Sequence, residues 1–243
     1  TLLEYADIDF SKWGEVERVT RNKVEVLTAE NMHRSWTNIP HVTQFDDADI
    51  TDLEAFRAEL KEESERRKTK LTLMPFLLKA LAVQLRDYPN FNASLTDSGK
   101  VLVKKQYINI GIAVDTDKGL KMPVLKNINQ DDLVDINTNL TNMIKLARDN
   151  KISPSDLSGG VISISNLGSF NIRSFDAIIL PGQTFILAVG QIFEDVYVNK
   201  GKIEVANFVN LTLSCDHRAV DGVLASQFFS NIVLNLEKIY NEQ

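Results

Sequence analysis

Ser214-Cys215-Asp216-His217-Arg218-Ala219-Val220-Asp221-Gly222 is the stretch from which this chain is best read. A run rich in apolar residues, Phe208 to Leu213, precedes it, and a long apolar-periodic run, Leu224 to Tyr240, follows. The first reads as a buried strand. The second reads as a closing helix with Leu224, Phe228, Ile232, Val233, Leu236 and Ile239 on one face. Polar residues packed between two buried elements need a reason. One of only three histidines sits among them, and Gly222 ends the stretch where the chain must turn.

Further elements are legible outward from this point. Phe185 to Val189 is an apolar strand, and Val196-Tyr197-Val198, Asn199-Lys200-Gly201 and Ile203-Glu204-Val205 make a separate hairpin. Gly159-Gly160 precedes a strand at Val161 to Ser165, and Asp131 to Asn150 is an amphipathic helix. Tyr107 to Val114 is the clearest strand, with Ile108, Ile110, Ile112 and Val114 on one face. Asp97-Ser98-Gly99 marks a hairpin. Leu71 to Leu85 is a buried helix with Pro75 in its first turn. Thr51-Asp52-Leu53-Glu54 has the form of a capping box, with Leu53, Phe56 and Leu60 as a stripe behind it. His41 to Phe45 is a strand that Asp46, Asp47 and Asp49 interrupt, and Asn22 opens a helix that Pro40 stops. Lys61 to Lys70 is a charged, solvated stretch. Residues 1–20 read as an extended arm whose Tyr5, Phe10 and Trp13 pack on a neighbouring subunit, and residues 21–243 as a single domain. The expected architecture is α/β and two-layered, with a mixed central sheet and flanking helices. There is no β-α-β-α regularity and no Gly-rich phosphate loop after the first strand, which argues against a Rossmann or P-loop nucleotide site.

The composition narrows the functions. Forty-four per cent hydrophobic and 25% charged residues are ordinary for a globular chain of 243 residues. A net charge of −6 disfavours nucleic acid as a partner. No apolar run approaches the roughly 20 residues that span a bilayer. The single cysteine forms no internal disulfide, and no metal-ligand spacing exists. The chain starts at Thr1 rather than Met, so we expect a piece of something longer.

His217 is the first candidate for chemistry. It is either a half-buried histidine paired with Asp216 or Asp221, or a general base at a strand end facing a cleft. Cys215 falls on the same side of an extended strand as residue 217, so a Cys–His pair is conceivable; a buried, inert cysteine is the simpler reading. Ser165 is either a strand-end cap or a hydroxyl donor to a developing oxyanion. Arg57 reads as a solvated charge, and His33 and His41 as structural.

Asp216-His217-Arg218-Ala219-Val220-Asp221-Gly222 resembles the D-H-R-x-x-D-G signature of the dihydrolipoyl acyltransferases, the core components of the 2-oxo acid dehydrogenase complexes. Asp9 to Gly14, Phe91 to Leu95, Gly111 to Thr116 and Ile164 to Gly168 are similar to further blocks of that family, while Ile39 to Gln44 and Asp49 to Thr51 resemble its pyruvate-type branch. The resemblance implies the chloramphenicol acetyltransferase fold and acetyl transfer between a lipoyl group on a separate domain and coenzyme A. A succinyl- or branched-chain acyltransferase and a non-catalytic scaffold are the alternatives. It implies His217 as base, Ser165 of a neighbouring subunit as oxyanion donor and Asp221 as support, with Asp216 and Arg218 holding the turn. Arg57 would meet coenzyme A phosphate, and Phe175 would line the lipoyl side. The implied partners are a homotrimer, extending to a higher-order core, and the pyruvate dehydrogenase and dihydrolipoamide dehydrogenase components, reached through a preceding region. The implied compartment is the bacterial cytoplasm or the mitochondrial matrix. Two features depart from the family: Lys23 stands where an arginine is usual, and the chain ends Tyr240-Asn241-Glu242-Gln243 without an apolar tip.

Overall fold

The computed structural model describes residues 8–60 and 71–238. The charged stretch 61–70, Tyr5 of the arm, and Ile239 with the polar end of the chain lie outside the described residues. Helix α1 (Lys23–Asn38) opens on a full capping box: the Asn22 side chain accepts from the Val24 and Glu25 amides, and Glu25 accepts from the Asn22 amide. Then come β1 (His41–Asp49), α2 (Thr51–Glu59) and α3 (Leu73–Asp87). A small antiparallel pair, β2 (Ala93–Thr96) and β3 (Val101–Lys104), stands apart from the main sheet. The remaining elements are β4 (Ile110–Ile112), β5 (Val124–Leu125), α4 (Leu133–Arg148), β6 (Ile162–Asn166), β7 (Phe185–Asn199), β8 (Lys202–Asp216) and α5 (Gly222–Lys238).

The main sheet has the order β1-β8-β7-β6-β4-β5. β4, β6 and β7 run parallel, and the other pairs are antiparallel, so the sheet is mixed. Strand periodicity divides its two faces. Ile110, Ile112, Ile162, Ile164, Phe185, Leu187, Val209, Leu211, Leu213 and Cys215 point into one core under the helices. Within it α3 packs on α4 and α5, and the Phe228 ring stacks on Phe91 at 3.9 Å and meets Phe185 edge-on at 5.2 Å. The alternating residues, Gly111, Ser163, Ser165, Ala188, Asn210, Thr212 and Ser214, are small or polar and look the other way, with Ile186 as the large apolar exception.

Four details differ from the sequence reading. β1 continues through Asp46 and Asp47 to Asp49, because its backbone pairs with β8 out to Phe208. Asp46 and Asp47 are exposed on this edge strand, so their charges carry no burial penalty. The capping box at 51–54 does not form. Thr51 Oγ1 instead accepts from the Asn207 amide at 2.8 Å, and Asp49 accepts from the Thr51 amide. The strand at 185–189 and the hairpin at 196–205 are parts of one long ribbon, β7 with β8, whose register shifts between Val189 and Ile192. That irregularity at Gly190-Gln191 is what breaks the alternation in sequence. Finally, β4 is shorter than 107–114, although Val114 still bridges to Lys121. No helix among the described residues is long and apolar enough to cross a membrane.

Candidate active site

β8 ends at Asp216, and the residues around His217 are occupied in holding the turn. The Asp216 amide donates to Thr184 O at 2.8 Å, and its carbonyl accepts from Ala219 and Val220. Its carboxylate, 2% exposed, accepts from Arg218 through the amide (3.0 Å), Nε (2.9 Å) and Nη2 (2.7 Å). Burying a charge is tolerable when it is paired and hydrogen-bonded in this way. The same hydrogen bonding pushes the Arg218 pKa up. The His217 amide donates to Pro40 O at 3.1 Å. Asp221 is the N-cap of α5: its Oδ1 accepts from the Val223 and Leu224 amides, both at 2.9 Å. The His217 imidazole is exposed and makes no hydrogen bond to a described residue. The turn thus leaves the ring itself open to a ligand.

Cys215 is not its partner. The strand ends at Asp216, so the two-residue parity does not extend to residue 217. Cys215 is buried in the helix-side core, where desolvation, with the neighbouring Asp216 charge, pushes its thiol up to about 12. Such a thiol is not a nucleophile at neutral pH.

Ser165 lies on the other face of the sheet, near the end of β6. It lines a cleft of about 680 Å³, together with Gly111, Ser163, Phe175 and Gln183. It also lines a second cleft of about 520 Å³, on the side of Asp115, Arg148 and Asn166. Ser165 therefore borders both, together with Ala113 and Leu120, and no described residue takes its hydroxyl as a hydrogen-bond partner. The chain turns sharply after it. The Gly168 amide donates to Asn166 Oδ1, and a Cβ on Gly168 would sit 2.5 Å from Gly190 O. The Ser-Asn-Leu-Gly block is thus a strand end packed against the bulge of β7. Ser163 Oγ and Gln183 Oε1 are buried in the first cleft without hydrogen-bond partners. Buried polar atoms are nearly always bonded, so these two are open to a ligand's N–H or O–H groups. Sequence reasoning passed over both. Ser163 was open to notice as the i−2 neighbour of Ser165 on one strand face; Gln183 carried no signal.

Phe175 and Ser165 share a cleft, but His217 and Ser165 are not brought together within the chain. Ser165 pairs with Ala188, and Ala188 with Thr212. His217 is five residues further along and two strands across, roughly 16 Å by 10 Å at ordinary strand spacings. Arg57 lies in α2, which starts beside Asn207, near the middle of β8 and ten residues before His217, and its guanidinium pairs with Glu54. Among the described residues no group of three or more His, Cys, Asp or Glu is placed to hold a metal.

Residues 14–241 match the family model for the 2-oxoacid dehydrogenases acyltransferase catalytic domain. The chain is 40% identical over 231 residues to the dihydrolipoyllysine-residue acetyltransferase component of the pyruvate dehydrogenase complex of Haemophilus influenzae, covering 94% of this chain and 41% of that one. It therefore spans less than half the length of that relative. It superimposes on the dihydrolipoamide acetyltransferase of Azotobacter vinelandii with a TM-score of 0.94, 38% identity and 98% of each chain covered. In that enzyme a serine, a histidine and an asparagine were investigated for their role in the catalytic mechanism; the histidine follows the serine by 52 positions, and the asparagine follows the histidine by four. A structure of the cubic core of the pyruvate dehydrogenase multienzyme complex matches equally well, at TM-score 0.94 and 38% identity over 98% of each chain.

Proposed function

The chain belongs to the 2-oxoacid dehydrogenase acyltransferase family, and on that premise we propose that it moves an acetyl group between a dihydrolipoyl thiol and coenzyme A. The observation that carries this reading is Ser165 on the border of two clefts, one for each of two ligands. The spacings of the Azotobacter enzyme support it: Ser165, His217 and Asp221 repeat the 52 and the four, with aspartate in place of asparagine.

The chemistry follows from the groups. A thiol with a pKa of about 8.5 is mostly protonated at neutral pH. His217 takes the proton of coenzyme A as its sulfur attacks the carbonyl carbon of the acetyl-dihydrolipoyl thioester. The new C–S bond turns the carbonyl oxygen into an oxyanion, which accepts a hydrogen bond from the Ser165 hydroxyl. Collapse breaks the bond to the dihydrolipoyl sulfur, and that sulfur takes the proton back from the His217 imidazolium. No bond forms to the protein, so the buried Cys215 is not needed. Asp221 acts through the helix start that it caps.

His217 and Ser165 are too far apart in one chain to share a tetrahedral centre, which supports a site shared between subunits of a homotrimer. The arm is suited to that assembly: Phe10 and Trp13 are 60% and 74% exposed, with their rings 6.2 Å apart. In this reading Phe175 walls the lipoyl side, and Arg57 exchanges Glu54 for a phosphate of coenzyme A. The lipoyl domain and the dehydrogenase components are partners of the longer protein. The test is turnover of acetyl-, succinyl- and isobutyryl-coenzyme A with free dihydrolipoamide. We expect acetyl to be transferred fastest; succinyl transfer at an equal or higher rate would overturn the acetyl assignment.

A further inference from the structure

The wall of the Ser165 cleft that carries Phe175 is a strap without regular secondary structure, and few bonds hold it. At one end, the Gln191 amide donates to Ile172 O at 2.9 Å. There the strap backbone passes so close to β7 that a Cβ on Gly190 would lie 1.9 Å from Arg173 O. Arg173 also sits over the Phe193 ring, 4.3 Å from its centroid. At the other end, the Ile179 amide donates to His41 Nε2 at 3.0 Å. Between Ile172 and Leu180, this is the one hydrogen bond to a strap amide among the described residues.

His41 is built for that contact. Its Nδ1 lies 2.9 Å from Ile39 O, which only accepts, so Nδ1 carries the proton and Nε2 is left as an acceptor. The ring is half-buried against Trp36, with centroids 5.7 Å apart. Its backbone pairs with Asp216, and the preceding Pro40 O accepts from the His217 amide. One residue thus touches the end of α1, the turn that presents His217, and the strap that walls the Ser165 cleft.

We propose that His41 is a positioning residue for acyl transfer: its Nε2 pins the strap at Ile179 and so sets the Phe175 wall of the cleft. The kinetic arm of the test rests on the acyltransfer reading; the exchange arm does not. His41→Phe keeps a ring of similar size but removes the acceptor, whereas His41→Gln restores one donor and one acceptor. In the folded protein, hydrogen exchange at the Ile179 amide is expected to speed up about tenfold or more in His41→Phe and to return near the wild-type rate in His41→Gln. The KM for dihydrolipoamide should rise several-fold in His41→Phe, with the KM for coenzyme A within about twofold, and His41→Gln should recover most of the loss. Unchanged Ile179 exchange in His41→Phe would overturn the pin. Faster exchange with both KM values unchanged would overturn the positioning role. A wild-type chain that transfers no acetyl group would sink the functional reading, and Ile179 exchange would still decide whether His41 holds the strap.

Discussion

The two faces of the central sheet are made from the same strands and do opposite work. On the helix side, alternate residues of β4, β6, β7 and β8 are Ile, Leu, Val or Phe, closed under α3, α4 and α5. On the other side most of the intervening residues are Gly, Ser, Thr, Asn or Ala, Ile186 apart, and that face opens into a cleft at Ser165. Burial of large apolar groups stabilises the fold, at about 25 cal/mol per Å². Small side chains on the second face leave room for a ligand at little loss of core. Core and cleft are therefore separated by the pleat, one residue apart.

Mutations on each side test that separation. The largest effect is expected at His217, beyond the sheet edge. His217→Ala should lower kcat by about 10²–10⁴-fold, the usual contribution of a positioned acid–base group, and leave the melting temperature within a degree or two because the ring is exposed. Retained turnover would remove His217 from the mechanism. On the helix side, Phe228→Ala should cost about 3–5 kcal/mol in denaturant unfolding, since Phe228 is fully buried against Phe91 and Phe185, while the folded fraction keeps its kcat. Comparable losses of kcat and stability would blur the two faces into one.

Ser165→Ala should lower kcat by about 10²–10³-fold with unfolding unchanged. Co-assembling it with His217→Ala sharpens the point: a site shared between subunits recovers transfer in the mixed oligomer, and a site within one chain recovers none. The smallest effect is expected at Cys215, on the helix side two residues before His217. Cys215→Ala should keep kcat within about twofold and lose about 1 kcal/mol of stability. The raised thiol pKa has a definite sign. Below its ordinary value near 9, both folded and unfolded chains keep the proton, and the full contribution is present. Between that value and about 12 only the unfolded chain loses it, so stability from this group falls by up to about 1.4 kcal/mol per pH unit. The alanine variant should lack that part of the alkaline slope.

Much of the fold was legible because strong periodic signals agree with the packing: α3, α4 and α5 fall where their apolar stripes put them. The misreadings occur where a long-range partner outweighs a local signal. Thr51 looks like a cap, yet it serves the Asn207 amide. Asp46 and Asp47 look like breakers, yet they ride on a strand held by β8. Gly190 and Gln191 interrupt an alternation that the ribbon itself continues past. His41 read as structural, because nothing in its neighbourhood points to Ile179, 138 positions away.

What the sequence determined by itself is the chemistry available: a histidine framed by Asp216, Arg218 and Asp221, a serine at a strand end, and the pleat that sends Ser165 and Ile164 to opposite faces. Local patterns settle these because periodicity and capping depend on residues within a few positions of each other. Only the tertiary structure decided that Asp216 and Arg218 bind each other and leave His217 bare, that Ser165 borders two clefts, and that the two residues stand apart within one chain. Those facts depend on strand order and register, which join residues remote in sequence, and no local pattern carries them.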